Sequence, residues 1–463
     1  MPIPTVGLWD YRQHLCNLAH VNTVQKRHAI QGTESVPAPS PHPSTVPLWS
    51  AFAARILLPF AAGYFLSYLY RTVNAVIAGG LTDDPALGNG GVDAGSLGLL
   101  TSAYFLTFAA AQLPLGILLD RYGPRRVEVG LLVVAAIGAA VFAVADGLAG
   151  LIAGRALIGL GVSACLMGAF KAFRQWFAPE RLPLLQGLIM AAGGMGVMTA
   201  TVPVEAALHV TDWRGVFIGL AGLTLVVGAV LFFAVPERPT DGAHETLRQQ
   251  MRGVSSVFTS RFFWGVVPAA MIAQSIYMSM QGLWAGPWLR DVAGIAEPGS
   301  ILLVTAIAMV IGHLVTGALA ERLARAGIPT VVPYAVGSVL FLAIVITLAS
   351  GVTAAPWLLW GLFGLFGTSG VLSYAIVAQA FPPHMAGRVN TAVNLMVFVV
   401  AFIVQWGIGA IIDLWGRNAA GHYPPEAYGV AFGLTAALLA VAVVWLLWSL
   451  VTARRENKQP ADG

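Results

Sequence analysis

The sequence predicts an all-α membrane protein of twelve transmembrane helices. Three observations carry this: a lipid-like composition, recurring apolar runs, and the placement of Lys and Arg between those runs. Hydrophobic residues fill 57% of the 463 positions and charged residues only 10%, with a mean hydropathy of +0.76. A soluble globular chain carries roughly 25% charged residues. So few charges cannot cover a water-facing surface, and most of this surface must face lipid.

Residues 1–50 are polar and include the Pro/Ser/His-rich stretch PAPSPHPSTVP at 37–47, the composition of a disordered tail. Apolar runs of about twenty residues then recur, the length one helix needs to cross the hydrocarbon core. They fall near 52–80, 95–119, 127–145, 149–170, 184–208 and 214–234. After a polar segment they resume near 262–288, 300–321, 329–349, 355–380, 388–412 and 428–451. The expected organisation is a tail (1–50), six spans (51–234), a linker (235–261), six more spans (262–452) and a second tail (453–463).

The basic residues test this count. Arg121, Arg125, Arg126, Lys171, Arg238, Arg322, Arg388 and Arg454 fall on the side of the tails and linker. The opposite side holds Arg214, Arg290 and Arg417 together with Asp83, Asp84, Asp93, Asp146, Asp212 and Asp291. An odd number of spans destroys this alternation. Short Lys/Arg-rich loops stay cytoplasmic, so both termini and the linker are expected in the cytoplasm and the chain in the plasma (inner) membrane. The net charge of +4 is then spent on topology, and no nucleic-acid partner is expected.

Other chemistries lack their residues. Cys16 and Cys165 form no disulfide framework and match no zinc spacing. The chain has no Gly-Lys pair and so no phosphate loop. HETLR at 244–248 lacks the second histidine of a zinc helix, and no Ser/His/Asp set is apparent. The expectation is no enzyme activity, no metal and no cofactor.

The strongest local motif is GILLDRYGPRR at 116–126, ending the second span. An acid at a helix C-terminus is unfavourable beside that helix's own negative end, so Asp120 wants a partner. Gly116 permits close approach, Gly123 and Pro124 make the turn, and Arg121, Arg125 and Arg126 anchor the loop. Here the chain resembles the major facilitator superfamily, whose loop between spans two and three carries this pattern. A weaker copy, GALAERL at 317–323, falls at the corresponding place in the second half with Glu321 as its acid. Arg155, Gly159 and Gly161 in the fourth span resemble a further signature of that family. The resemblance implies two pseudo-symmetric six-helix bundles around a central cavity open to one side at a time, with the first motif as a cytoplasmic gate.

Within the first span, Tyr64, Tyr68 and Arg71 are spaced four and three apart and share a helix face, with Asn74 a turn on. A cation flanked by phenols suits a carboxylate or phosphate; an arginine snorkelling to the interface is the plainer alternative. This stretch is similar to the first span of the organophosphate:phosphate antiporter and anion-cation symporter branches, which implies an anion-binding arginine. Those antiporters carry a second arginine in the seventh span. Here 262–288 has none and offers Gln274, Tyr277 and Gln281 on one face. One carboxylate on a larger polar body fits this better than a doubly charged phosphate.

The groups available for coupling are Arg155, Glu205 and His313, each of which also has a plain packing role open to it. The resulting expectation is a secondary transporter of a small anionic organic solute, moved with H+ or against a counter-anion and working as a monomer in the lipid bilayer. A proton-coupled efflux carrier of drug-like or cationic solutes and a non-transporting membrane sensor remain as alternatives.

Overall fold

The computed structural model describes residues 51–456 apart from 85–86, 88–91, 179–180, 238–246, 382–384 and 419–420. The tail expected at 1–50, part of the linker and the end of the second tail lie outside the described residues. Among the described residues, twelve helices are long and apolar enough to cross a membrane. They are α1 (Ala51–Thr72), α2 (Ala94–Tyr122), α3 (Pro124–Ala143), α4 (Leu148–Trp176), α5 (Leu184–Leu208) and α6 (Trp213–Ala234). The second six are α7 (Arg261–Asp291), α8 (Gly299–Arg325), α9 (Val331–Ala349), α10 (Pro356–Val377), α11 (Arg388–Ile412) and α12 (Pro425–Thr452). Each lies where the sequence places a span. Between the two sets, Leu247–Val257 forms a short linker helix that packs on α11 and α2. The end of the bundle carrying it is called the linker face, and the other end the distal face.

Helices satisfy their own backbone groups, which is why they can cross lipid; the exposed ends need caps. On the distal face Asp93 accepts from Ser96 N–H at 2.6 Å to start α2, and Asp212 accepts from Gly215 N–H at 2.9 Å to start α6. On the linker face Gly123 takes φ 80°, the left-handed region open to glycine, and Pro124 opens α3 at once. That is the turn the motif predicts.

The lateral surface is apolar, with Val144 (69% exposed), Phe233 (78%) and Val441 (69%) pointing outward. A patch of this kind around a whole bundle is a lipid-facing surface. Within each half, small residues bring backbones together. Gly138 and Gly154 face each other across α3 and α4, and Gly161 lies on the Ala135 backbone.

The two halves meet along three seams, α2 with α11, α5 with α8, and α1 with α7. The most enclosed spans are α4, α7 and α10, each with 61% of its apolar window buried, and each of them is interrupted, as are α1 and, at Ala200–Thr201, α5. α1 breaks at Val73 and restarts as Asn74–Thr82, while α7 widens into a π-turn at Met280–Trp284. α4 breaks around Val162–Ala164, and α10 tightens at Thr368–Val371. Spans one and seven, and four and ten, hold corresponding places in the two halves. Paired interruptions of this kind mark the region where a carrier binds its cargo.

Candidate functional site at the seam between the halves

The break in α1 sets the centre of the site. Arg71 stands two residues before it, half-buried, with its guanidinium carbon 4.5 Å from the Tyr68 ring, 5.6 Å from Phe108 and 5.4 Å from Phe398. Tyr68 and Phe108 come from the first half and Phe398 from the second. Phe108 and Phe398 stack at 4.3 Å, so the cation is lined by rings across the seam. Arginine over aromatic faces is favourable, and more so when desolvated. The titratable groups nearest Arg71 are neutral phenols, Tyr104, Tyr68 and Tyr64. Among the described residues no carboxylate pairs with it, and its Nε is buried without a hydrogen-bond partner.

Neighbouring spans hold this arrangement in place. Tyr64 and Tyr68 meet edge to face at 5.0 Å, and Gly193 of α5 leaves them room. The Tyr64 hydroxyl points to Met190 Sδ at 3.8 Å. Arg155, 1% exposed, donates from Nη1 to the Tyr70 carbonyl oxygen at 3.0 Å, between the Phe142 and Phe217 rings. A broken helix needs such side-chain donors for its carbonyls. Arg155 is therefore a tie within the first half that fixes the backbone beside Arg71. Asn74 is fully buried and donates from Nδ2 to Thr101 Oγ1 at 2.8 Å, joining α1 to α2.

From the second half, Tyr374 donates to Asn394 Oδ1 at 2.6 Å and lies within electrostatic reach of Tyr68 and Arg71. Tyr277 lies within electrostatic reach of Tyr68 and stacks on Phe363 at 5.3 Å, with its buried hydroxyl beside Gln281. Gln274 lies against Gly370 at the interruption of α10. Gln281 is 8% exposed, with Nε2 3.7 Å from Met309 Sδ and its side chain beside Tyr277. Arg71, Tyr68, Tyr277 and Tyr374 thus form one cluster. Asn74 and Gln281 sit in packing contacts beside it.

The remaining residues singled out in the sequence lie elsewhere. Asp120 pairs with Lys171 of α4 inside the first half. Arg125 and Arg126 both bind Glu237 after α6, at 2.9 and 2.5 Å, and Arg125 also donates to the Val235 carbonyl oxygen at 3.0 Å. Arg121 lies over Tyr122, and Gly116 is half-buried on α2. His313 is exposed on the linker-face half of α8, with Nδ1 at 3.0 Å from the Met309 carbonyl oxygen.

Glu205 bridges the halves on the distal face, where its Oε1 accepts from Gly299 N–H at 2.9 Å at the start of α8. Nearby, the Tyr423 hydroxyl lies 3.0 Å from Ala94 N and 2.8 Å from Asp413 Oδ1, and Arg417 donates to the Val92 carbonyl oxygen at 2.6 Å. These contacts close the distal face. Removing a capping acid costs about 0.5–2 kcal/mol. In Glu205→Ala, amide exchange over Gly299–Leu302 is therefore expected to quicken about 2- to 30-fold, read by hydrogen–deuterium exchange. Unchanged exchange there would remove Glu205 from the closure.

Sequence reasoning missed Tyr104, Phe108 and Phe398, since isolated aromatics in apolar spans carry no signal of their own. It also missed Glu128, which falls at the very edge of the predicted third span and reads there as an interfacial charge. The structure buries it completely. Among the described residues no group of three His, Cys, Asp or Glu is placed to hold a metal ion.

Twelve spans in two halves that meet across paired helix interruptions define a membrane transporter. The chain belongs to the Major Facilitator Superfamily, whose family model matches residues 60–405. It is 28% identical over 235 residues to a probable L-galactonate transporter of Escherichia coli, covering 46% of this chain and 49% of that protein. It is 27% identical over 195 residues to the efflux pump aunC of Aspergillus niger, covering 42% of this chain and 35% of the pump. The matches thus span about half or less of each relative's length. Among solved structures, an inward-facing bacterial homologue of the lysosomal transporter Spinster superposes with a TM-score of 0.67 at 17% identity, over 87% of this chain and 96% of that one, which shows the shared fold.

Proposed function

We propose that this transporter carries a small organic anion with one carboxylate or equivalent charge, bound at Arg71 between the two halves. The observation that carries this reading is a guanidinium at the seam faced by phenols and, among the described residues, by no acid. A cation left without its counter-charge in a low-dielectric site is costly, and an anionic cargo supplies that counter-charge on binding. Tyr68, Tyr277 and Tyr374 offer hydroxyls for the rest of such a solute. The likeness to an L-galactonate transporter supports the same class of cargo, because galactonate is a hydroxylated monocarboxylate.

The distribution of Lys and Arg supports the linker face as cytoplasmic, in the plasma membrane, with a single chain as the working unit. The likeness to an efflux pump supports a second reading, in which a drug-like or cationic solute leaves with proton exchange. Thermal unfolding of the purified full chain separates the two. Ligand at 100 times its dissociation constant stabilises by about 2.7 kcal/mol. Sugar acids and other organic monoanions are expected to raise the unfolding temperature, and lipophilic cations to leave it unchanged. The reverse pattern would overturn the anion reading.

A further inference from the structure

Glu128 of α3 is 0% exposed, and among the described residues neither carboxylate oxygen has a hydrogen-bonding N–H or O–H partner. Its Oε1 lies well inside contact distance of where a Cβ on Gly63 of α1 would be, and its Oε2 lies 2.6 Å from where a Cβ on Gly168 of α4 would be. Two glycines on two other helices thus leave a slot the size of one carboxyl group. The Cys165 thiol, at the break in α4, is the polar group that touches it. From Cys165 the polar groups continue to Tyr104 and on to Arg71.

The charges around this slot are engaged elsewhere. On α3 itself, Arg125 and Arg126 hold Glu237. On α2 and α4, Asp120 and Lys171 hold each other, and Arg155 is bound to the Tyr70 carbonyl. On α6 the charged residue is Arg214, at the distal end against Asp84. On α1, Arg55 is exposed near the linker-face end, Tyr64 faces Tyr68, and Arg71 acts on the Cys165 thiol and on Tyr104 beside the slot.

We propose that Glu128 is a proton-binding site, protonated in the arrangement seen here, whose proton is bound and released together with the anion at Arg71. An ionised carboxylate without a partner in such a place costs far more than a neutral one. When the α4 break at Val162–Ala164 rearranges and water reaches the slot, the O–H bond gives its proton to water and leaves a carboxylate. The sign of the link follows from charge. Arg71 alone opposes positive charge nearby, and an anion on Arg71 cancels that field and favours the proton. By reciprocity, the proton favours the anion. The predicted coupling is symport, one proton with one monoanion and no net charge moved.

This rests on the anion reading above, and the experiment separates the two. The full chain is reconstituted in vesicles with L-galactonate as the probe anion and the membrane potential clamped at zero. For one proton per anion, a gradient of about one pH unit sustains an accumulation ratio of about tenfold. Glu128→Gln, which mimics the protonated acid, should lower that ratio to about one while keeping exchange of internal for external L-galactonate. Glu128→Asp should restore accumulation with a shifted pH midpoint, which a packing role would leave in place. Tenfold accumulation in Glu128→Gln overturns the proton site and leaves the anion reading standing.

Arg71→Ala should lose both accumulation and exchange; exchange that survives it counts against the anion reading. Infrared difference spectra need no substrate. The wild type should show a protonated-carboxyl band at neutral pH that is missing in Glu128→Gln, and identical spectra would overturn the proposal. If the wild type exchanges no L-galactonate, these spectra decide the proton site alone.

Discussion

Replacing Arg71 with Ala is expected to weaken binding of an organic anion by about 100-fold or more and to abolish its uptake, with the protein still folded in detergent. The magnitude follows from two hydrogen bonds to a charged group, each worth about 1.5–3 kcal/mol. The fold should survive because, among the described residues, Arg71 supports no ion pair. Its removal takes a costly charge out of the seam and leaves no acid stranded. Arg71→Lys should fall between, since an ammonium keeps the charge and loses the planar two-pronged donor. The readouts are ligand-induced thermal stabilisation and uptake into proteoliposomes. Full uptake by Arg71→Ala would end the role assigned to this residue.

The second large effect is expected at Gly286 of α7. Its backbone lies against the Ala75 carbonyl of the first half, just beyond both the α1 break and the π-turn. A Cβ there would meet the carbonyl oxygen far inside contact distance, and the carbonyl carbon at 2.8 Å. Both neighbours are backbone, so no side chain can swing aside, and relief requires the halves to part. Overpacking of this kind costs about 1–3 kcal/mol, a shift of about 5- to 150-fold between two states. Gly286→Ala should therefore depopulate the closed distal face. Spin labels at Val210 and Val352, introduced without the native cysteines, should report longer distances across that face. A lower unfolding temperature with unchanged distances would instead assign Gly286 to folding.

The fold was legible because its signals are long and redundant. Twenty apolar residues read as a span whatever their order, and loop arginines fixed the number of crossings. The Gly123–Pro124 turn was readable because it depends on two residue types with fixed backbone habits. The site was only half legible. Arg71 stood out because a cation in an apolar run is rare, and Tyr68 and Tyr277 followed from helical spacing. Asn74 shows the limit of that method, since spacing gives a face but not the neighbour, and here the neighbour is Thr101. Phe108 and Phe398 are almost 300 positions apart in the chain and meet only through tertiary packing, which no local pattern encodes. Glu128 was hidden by its place beside two arginines, where a carboxylate looks like loop. Only Gly63 and Gly168, from two other helices, reveal the slot made for it.

The Phe108–Phe398 stack has a mechanical consequence. One ring belongs to each half, and they touch beside the residue proposed to hold the cargo, so the halves cannot rock apart without unstacking them. Such a pair contributes about 0.5–1.5 kcal/mol beyond the area it hides. It works as a dry clasp, one that reopens at a modest energetic cost each time the halves part.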